Sequence, residues 1–271
     1  MSLSINTNTA AALALEQLNT TNSQLNKTQL AVATGLKVNG PKDDPSAYAI
    51  AQNLRGQVAG TQAVKISLST GGSEVNVAIN AGQSIADLLT QAKAKIVQAN
   101  QNGLDPVSRT ALHNDYATIT QQIDTIVATA SFNGTNLICS GATGISVLST
   151  VDGSVITVSA QGLTTSALAI SSANLTTSAG ALLALTAINT AITQVSNSLA
   201  ALGASASQIQ MQSDFATKLI DILNQGVGDL VDADMAQESA SLQALQVKQQ
   251  LGVQALSIAN QAPQAILSLF R

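Results

Sequence analysis

Aromatic residues, cysteine and histidine are scarce in this chain of 271 residues, and the scarcity excludes several classes of site. Five aromatic side chains and no tryptophan suit close helix packing better than a large globular core. With Cys139 as the only cysteine, an intramolecular disulfide framework is excluded. With His113 as the only histidine, neither a familiar zinc ligand set nor a Ser-His-acid or Cys-His nucleophile has support within one chain. We therefore predict no catalytic, cofactor-binding or metal-binding residues and no enzymatic activity.

Charge is also sparse. Charged residues make up 10% of the chain, and the net charge is −4, so the chain lacks the basic footprint that nucleic acids and anionic membranes require. The N-terminal residues lack the basic region and long apolar region of a secretory signal. No uninterrupted apolar run reaches about 18 residues, so no transmembrane helix is predicted. We expect a protein that stays inside the cell or leaves by a route without a cleaved signal.

Helix periodicity dominates what is present. Hydrophobic residues make up 45% of the chain, and many are alanine, which favours helices and buries little area. Apolar residues recur three and four positions apart in three segments, from Leu54 to Ile96, Leu112 to Ala130 and Ala181 to Leu223. Asp44-Pro45 and Asp105-Pro106 provide N-caps followed by Pro at the first helical position. We predict three long helices packed along one another.

The two ends of the chain carry further helical patterns. One register near the start contains Leu18, Leu25 and Val32, and one near the end contains Met235, Leu242, Leu245, Leu256, Ala259 and Ile266. The C-terminal helix also has apolar residues outside that register, at Val247, Leu251, Val253 and Ile258, so it is predicted to need several neighbours. Pro263 predicts a kink or a restart before the apolar end of the chain, Ile266, Leu267, Leu269 and Phe270.

Residues 131–175 differ in character. The short runs NLICS, GISVLSTV and SVITVSA predict strands, and Asp152-Gly153 predicts a hairpin turn between the last two. The stretches GLKVNGPK (35–42) and NQGVG (224–228) indicate linkers, and Gly71-Gly72 indicates a break or bend. The predicted fold is mainly α: long antiparallel helices in a coiled-coil or bundle rod, with a small β-hairpin element.

The remaining polar groups receive simple interpretations. His113 lies outside its helix seam and is expected to be solvated, and Cys139 is expected to be a small buried hydrophobe. Four acidic residues lack EF-hand spacing and are expected to cap the C-terminal helix near its start: Asp229, Asp232, Asp234 and Glu238.

Several motifs at the two ends of the chain are distinctive. The start reads SINTNTAAALALEQLN followed by VATGLKVNGPKDDPSAYAIAQNL, and the end reads DADMAQESASLQALQVKQQLGVQALSIANQAPQAILSLFR. These motifs closely resemble those of bacterial flagellin, the subunit of the flagellar filament. The segment SFNGTNLI resembles the stretch that follows the family's inner rod helices. The resemblance covers roughly residues 3–138 and 178–271, and it implies a short form without large outer domains.

The resemblance implies a domain organisation. Residues 1–35 and 229–271 would pair as an inner terminal-helix layer, with 36–43 and 225–228 as spoke linkers. Residues 44–130 and 176–224 would form the helical rod, and 131–175 its surface-facing β element. The chain would then assemble into an open helical homopolymer, with terminal segments that are largely disordered in the monomer and fold on polymerisation.

The expected assembly interface lies on the terminal segments. It comprises Ile5, Leu13, Leu18, Leu25, Val32, Met235, Leu242, Leu245, Leu251, Leu256, Ile266, Leu267, Leu269 and Phe270. The resemblance implies further partners: flagellar junction and cap proteins, the flagellar export apparatus and an export chaperone. Flagellins sensed by their Toll-like receptor carry an arginine-containing motif on the rod. The corresponding stretch here, LLTQAKAKIVQAN, has Lys93 and Lys95 and no arginine, so weak recognition is expected.

Two alternatives remain at this point. A hook-filament junction protein shares similar termini, although the nearly complete C-terminal match and the compact middle favour the filament subunit. A flagellin-like cell-surface protein that binds polysaccharide would need aromatic platforms or clustered charge, and residues 131–175 offer only Phe132 and Asp152.

Overall fold

The structure, a computed structural model, describes residues 7–267, and side chains to residue 261. The elements within this range are mainly helical, and one antiparallel hairpin accompanies them, which confirms the predicted fold class. They are α1 (Thr9–Thr34), α2 (Pro45–Ala99), α3 (Pro106–Thr129), β1 (Ile145–Leu148), β2 (Val155–Val158), α4 (Ser178–Val231) and α5 (Met235–Leu267).

The predicted N-caps are confirmed. Helix α2 begins at Pro45, and Asp44 Oδ1 accepts hydrogen bonds of 3.0 Å from the backbone N–H groups of Ser46 and Ala47. Helix α3 begins at Pro106, and Asp105 accepts from the Ser108 N–H at 3.2 Å. Because these bonds favour the ionised carboxylate, they lower the pKa of each group, chiefly through Ala47 for Asp44 and through Ser108 for Asp105.

The chain forms two compact units. The terminal unit comprises the described parts of Met1–Gly56 and Ile222–Arg271, and the central unit comprises Gln57–Asp221. The core of the central unit contains the predicted seams. Fully buried seam residues include Leu68, Val75, Leu89 and Ile96 on α2, Ile123 on α3, and Ala181, Ile188, Val195 and Leu202 on α4. One-sided apolar spacing therefore identified the core-facing side of each long helix.

The hairpin packs on α2 in the central unit. Strands β1 and β2 pair antiparallel with Val147 opposite Ile156, and Gly153, with φ 92°, lies in the turn as predicted. Leu148 donates its N–H to Ser67 Oγ at 3.2 Å. A Cβ placed on Gly71 would lie 2.9 Å from Val147 Cγ1. Helix α2 runs unbroken through this position, so the predicted break is wrong, and Gly71 instead allows the strand to approach the helix.

Three other local predictions are also wrong. Residues 224–228 are not a linker, because α4 continues to Val231. The run NLICS is irregular rather than a strand, although the carbonyls of Leu137 and Ile138 accept bonds from Gln161 and Leu163 at 2.7 and 2.9 Å. Helix α5 extends unbroken to Leu267, so the predicted restart at Pro263 is wrong, while the alternative of a kink stays a prediction.

Helix α4 passes a length and composition test for a membrane span. Of the residues in its most apolar stretch, 28% are buried. The central core helix of a protein passes the same test, and Ile188, Val195 and Leu202 of α4 are core residues. Although α4 contains no long uninterrupted apolar run, it is apolar overall, and these apolar residues pack in the core of the central unit.

Candidate assembly surface

Helices α1 and α5 pack against each other in antiparallel directions within the terminal unit. Asn8, the N-cap of α1, donates its side-chain amide to the carbonyl of Ala259 at 2.8 Å. Near the middle of the pair, Gln249 Nε2 donates to Asn22 Oδ1 at 2.7 Å. Residues later in α1 contact residues earlier in α5, as expected for antiparallel helices. The two ends of the chain therefore form one helical pair.

The connection beside this pair is held by backbone bonds. Helix α1 ends at Gly35, which has φ 73° and caps the helix. The N–H of Lys37 then donates to the Val231 carbonyl at 2.8 Å, and the N–H of Ala233 donates to the Gly35 carbonyl at 2.8 Å. Val38, Ala51 and Val231 are buried together here. The chain leaving α1 and the chain entering α5 are therefore fixed to each other.

One side of the pair contains the predicted registers. Leu25 is buried and Met235 is exposed, and the other described members are half-buried: Leu18, Val32, Leu242, Leu245, Leu256 and Ala259. A Cβ placed on Gly252 would lie 3.2 Å from Leu18 Cδ1, so the helices approach closely at that position. The buried and half-buried members pack within the chain itself, as expected for two chain ends that pair, and their contacts in the assembly stay a prediction.

Other apolar residues of the pair are uncovered. Leu13 is 68% exposed, Leu251 57% and Met235 44%, and all three belong to the predicted interface. Further exposed apolar side chains of the pair are Leu15, Leu30, Val247, Val253 and Ile258. Leu15 and Leu30 are absent from the predicted interface, and neither belongs to the regular apolar registers.

Val247, Leu251 and Ile258 lie four and seven residues apart, which places them on one side of α5. We call these three residues the uncovered face of α5. Contiguous exposed apolar surface of this kind typically marks an interaction site. Ile5, Leu269 and Phe270 lie outside the described residues, and Ile266 and Leu267 lie in α5 without described side chains.

The acidic residues near this region have separate positions. Asp234 accepts from the N–H groups of Ala236 and Gln237 at 2.9 and 3.2 Å, and it caps α5. Glu238 lies in the first turn of α5. Asp229 belongs to the last turn of α4, and Asp232 follows that helix. Asp234 is therefore the residue of the four whose side chain caps α5 among the hydrogen bonds of the described residues.

Among the described residues, no group of three or more His, Cys, Asp and Glu side chains could hold a metal ion. His113 is half-buried with its Nδ1 enclosed and unpaired among those residues, so the prediction of a solvated side chain is wrong. Cys139 is half-buried against the central core, and its thiol donates to the Asn136 carbonyl at 3.7 Å.

A groove of about 520 Å³ lies on the central unit between α2 and α4. Leu68 and Ile209 form part of its lining, and the remaining lining is mostly small and polar, with Lys65 as its one charged residue. Polysaccharide recognition needs stacking platforms or clustered charge, and this groove has neither.

Comparison with known proteins defines the class of this molecule. The family model for the bacterial flagellin N-terminal helical region matches residues 5–143, and that for the bacterial flagellin C-terminal helical region matches residues 185–270. Flagellin FljM of Caulobacter vibrioides is 44% identical over 99% of this chain and 98% of its own length. A flagellin of Brucella melitensis is 35% identical over 99% of both chains.

Solved structures share the fold. A crystal structure of Bacillus cereus flagellin has a TM-score of 0.52 and 21% identity, covering 55% of this chain and 88% of that one. A putative flagellar hook-associated protein from Vibrio parahaemolyticus has a TM-score of 0.59 and 12% identity, covering 70% and 100%. At such identities these likenesses concern the fold alone.

The fold and these matches define a helical structural protein of the bacterial flagellum. More particularly, the chain belongs to the bacterial flagellin family, in a short form similar in length to its Caulobacter relatives. Flagellins are structural proteins that assemble into the extracellular filament used for swimming. The chain is therefore a subunit of a flagellar filament.

Proposed function

We propose that this subunit joins its filament through the terminal unit. The single observation that carries the proposal is the set of uncovered apolar residues on α1 and α5, represented by Leu13, Leu251 and Ile258. Burying each such side chain is worth about 1.5–3 kcal/mol. A second copy is the natural source of cover, because a heterologous contact that does not close produces an open helical polymer.

The proposal divides the apolar residues of the terminal unit into two groups. Leu18, Leu25 and Leu256 hold α1 against α5 within one chain, whereas the exposed group packs against neighbouring copies. Ile5, Ile266, Leu267, Leu269 and Phe270 remain proposed interface residues on sequence grounds. A two-helix pair with few buried residues is marginal in isolation, so we propose that its ordering is coupled to polymerisation.

The domain organisation is part of the proposal. Residues 1–35 and 229–271 form the inner layer, and 44–130 with 176–224 form the rod. Residues 131–175, which include the hairpin, face solvent. The spoke linker is formed by 36–43, whereas residues 225–228, also expected to be a linker, are a continuous part of α4.

We further propose the partners that such a subunit meets. It leaves the cell through the flagellar export apparatus with an export chaperone, and it contacts junction and cap proteins. Recognition by the flagellin-sensing Toll-like receptor is weak, because Lys93 and Lys95 replace an arginine-containing motif and Lys95 Nζ already pairs with Asp115 Oδ2 at 2.7 Å. A strong response to purified monomer in a receptor reporter assay would contradict weak recognition.

Removal of residues 1–35 and 229–271 tests the role of the terminal segments. We expect a soluble helical monomer that does not polymerise on seeding, because the core of the central unit lies within Gln57–Asp221. Circular dichroism measures the helix content, and sedimentation measures the polymer. Filaments formed by the truncated chain would refute the proposal, and the full-length chain seeded in parallel is the control.

A further inference from the structure

Three Asn-Gly pairs occur in the chain, at Asn39-Gly40, Asn102-Gly103 and Asn133-Gly134. In such a pair the glycine nitrogen can attack the asparagine side chain, and the missing Cβ of glycine leaves that attack unhindered. All three pairs have the same sequence chemistry, but the structure places them in different settings. We propose that Asn102 is a site of spontaneous deamidation and that the fold protects Asn39 and Asn133.

The reaction needs only water. The Gly103 backbone nitrogen loses its proton to hydroxide and bonds to Asn102 Cγ. The Cγ–Nδ2 bond breaks, and the NH2 group takes up one proton from water and leaves as ammonia, which regenerates the hydroxide. Water then opens the resulting five-membered succinimide at either carbonyl, which leaves an aspartate or an isoaspartate at position 102. No oxidant, reductant or enzyme takes part.

Asn102 is free to reach the reactive geometry. It lies with Gly103 in an exposed turn between α2 and α3, and Gly103 has φ 84°. Within residues 7–267, neither the Asn102 side chain nor the Gly103 N–H has a hydrogen-bond partner. Rotating the Asn102 side chain and the following peptide into the attack position therefore breaks no hydrogen bond.

The other two pairs are held. Phe132 and Thr135 exchange two backbone hydrogen bonds of 2.9 Å around Asn133 and Gly134, whose φ angles are 51° and 83°. These positive angles are those of a tight two-residue hairpin turn, which must open before the ring can close. Asn39 donates its side-chain amide to the Leu36 carbonyl at 3.0 Å, and its N–H donates to Asp43 Oδ2 at 3.2 Å.

The product would affect the join between α2 and α3. The buried Arg109 side chain donates to the carbonyls of Ala99, Gln101 and Leu104, with 2.8 Å from Nη2 to Gln101 and 3.4 Å from Nε to Leu104. Isoaspartate at position 102 lengthens the main chain by one carbon between Gln101 and Leu104, whose carbonyls both accept hydrogen bonds from Arg109. The modification therefore loosens the turn that Arg109 holds, and it accumulates with the age of the subunit.

The test follows all three sites in the full-length chain. Purified protein is incubated in mildly alkaline buffer, and peptide mass spectrometry measures deamidation at each site over time. We expect Asn102 to react about thirtyfold faster than Asn39 or Asn133, since each protected site must break two hydrogen bonds of ordinary net strength. In denaturant the three rates should converge, because the protection comes from the fold.

An Asn102→Gln variant is the matched control, because closing the larger ring is much slower. It should lose the fast phase of ammonia release while keeping the helix content of the wild-type chain. Equal rates at the three sites in the folded chain would overturn the proposal. So would a rate order that survives in denaturant, because sequence rather than structure would then set it.

Discussion

At the residue scale, the central unit depends on a few polar contacts that its apolar pattern does not reveal. Tyr116 is 2% exposed, and its hydroxyl donates to the Ile170 carbonyl at 2.6 Å. Asp124 accepts from the Thr165 N–H and hydroxyl at 3.0 and 2.7 Å. Each bond ties the irregular segment before α4 to α3. Sequence spacing indicates that Tyr116 faces the core, but it cannot identify a partner 54 residues away.

Tyr116 gives a prediction of pH dependence. Burial raises the pKa of its hydroxyl from 10 to about 12, so the unfolded chain releases this proton at a lower pH than the folded chain. The contribution of Tyr116 to stability is complete below about pH 10 and is lost as the pH rises towards 12. The loss is on the order of 2 kcal/mol.

Urea unfolding of the wild-type chain and of Tyr116→Phe between pH 8 and 12 measures this effect. At neutral pH the variant should be less stable by about 1 kcal/mol, because the Ile170 carbonyl loses its donor. The stability advantage of the wild-type chain should then shrink above about pH 10. A gap that stays constant through that range would contradict the pKa assigned to Tyr116.

At the element scale, sequence predicts the long helices well and the contacts between elements poorly. The seam from Ala181 to Leu223 is buried or half-buried at every position, because one-sided burial along a helix produces a regular spacing. The two strands and the turn at Gly153 are similarly local. The predictions for Gly71 and for residues 224–228 are wrong. A glycine can mark either a helix break or a position where another element packs closely against the helix, and only the neighbouring element in the structure distinguishes the two.

Two glycines of the central unit test the docking of the hairpin on α2. Gly71→Ala places a methyl group against Val147 and should lower stability by about 1–2 kcal/mol. Gly203→Ala on α4 meets no atom within 4 Å and should raise stability by about 0.5–1 kcal/mol, because alanine is the better helix former. Urea unfolding measures both. A stabilising Gly71→Ala would show that the hairpin does not pack closely there.

At the scale of the whole molecule, the question is how a chain with sparse charge forms a filament. The sequence indicates the terminal helices and their registers and predicts that the two chain ends pair, yet it does not separate contacts within the chain from contacts between copies. The structure places Leu18, Leu25 and Leu256 in the pair formed by α1 and α5. Leu13 and Leu251, which lie outside the registers, and Met235, which belongs to one of them, remain uncovered. The spacing of apolar residues along a helix indicates which of them are buried. It does not indicate whether the residues that bury them belong to the same chain or to another copy.

The uncovered face of α5 provides the most direct test of the proposed assembly. Leu251→Asp with Ile258→Asp places two charges on that face. The matched control, Gln250→Asp with Ser257→Asp, adds the same charge one position earlier at exposed sites, rotated about 100° around the same helix. Electron microscopy and sedimentation after seeding measure polymerisation of each purified variant, with circular dichroism as the check on folding.

We expect the control variant to form filaments. We expect the Leu251→Asp and Ile258→Asp variant to stay monomeric with its central unit folded. Burying an unpaired carboxylate in a contact between copies costs several kcal/mol, which is enough to prevent growth. Filaments of normal yield from the Leu251→Asp and Ile258→Asp variant, or motile cells that carry only that variant, would contradict the assignment of this face to contacts between subunits.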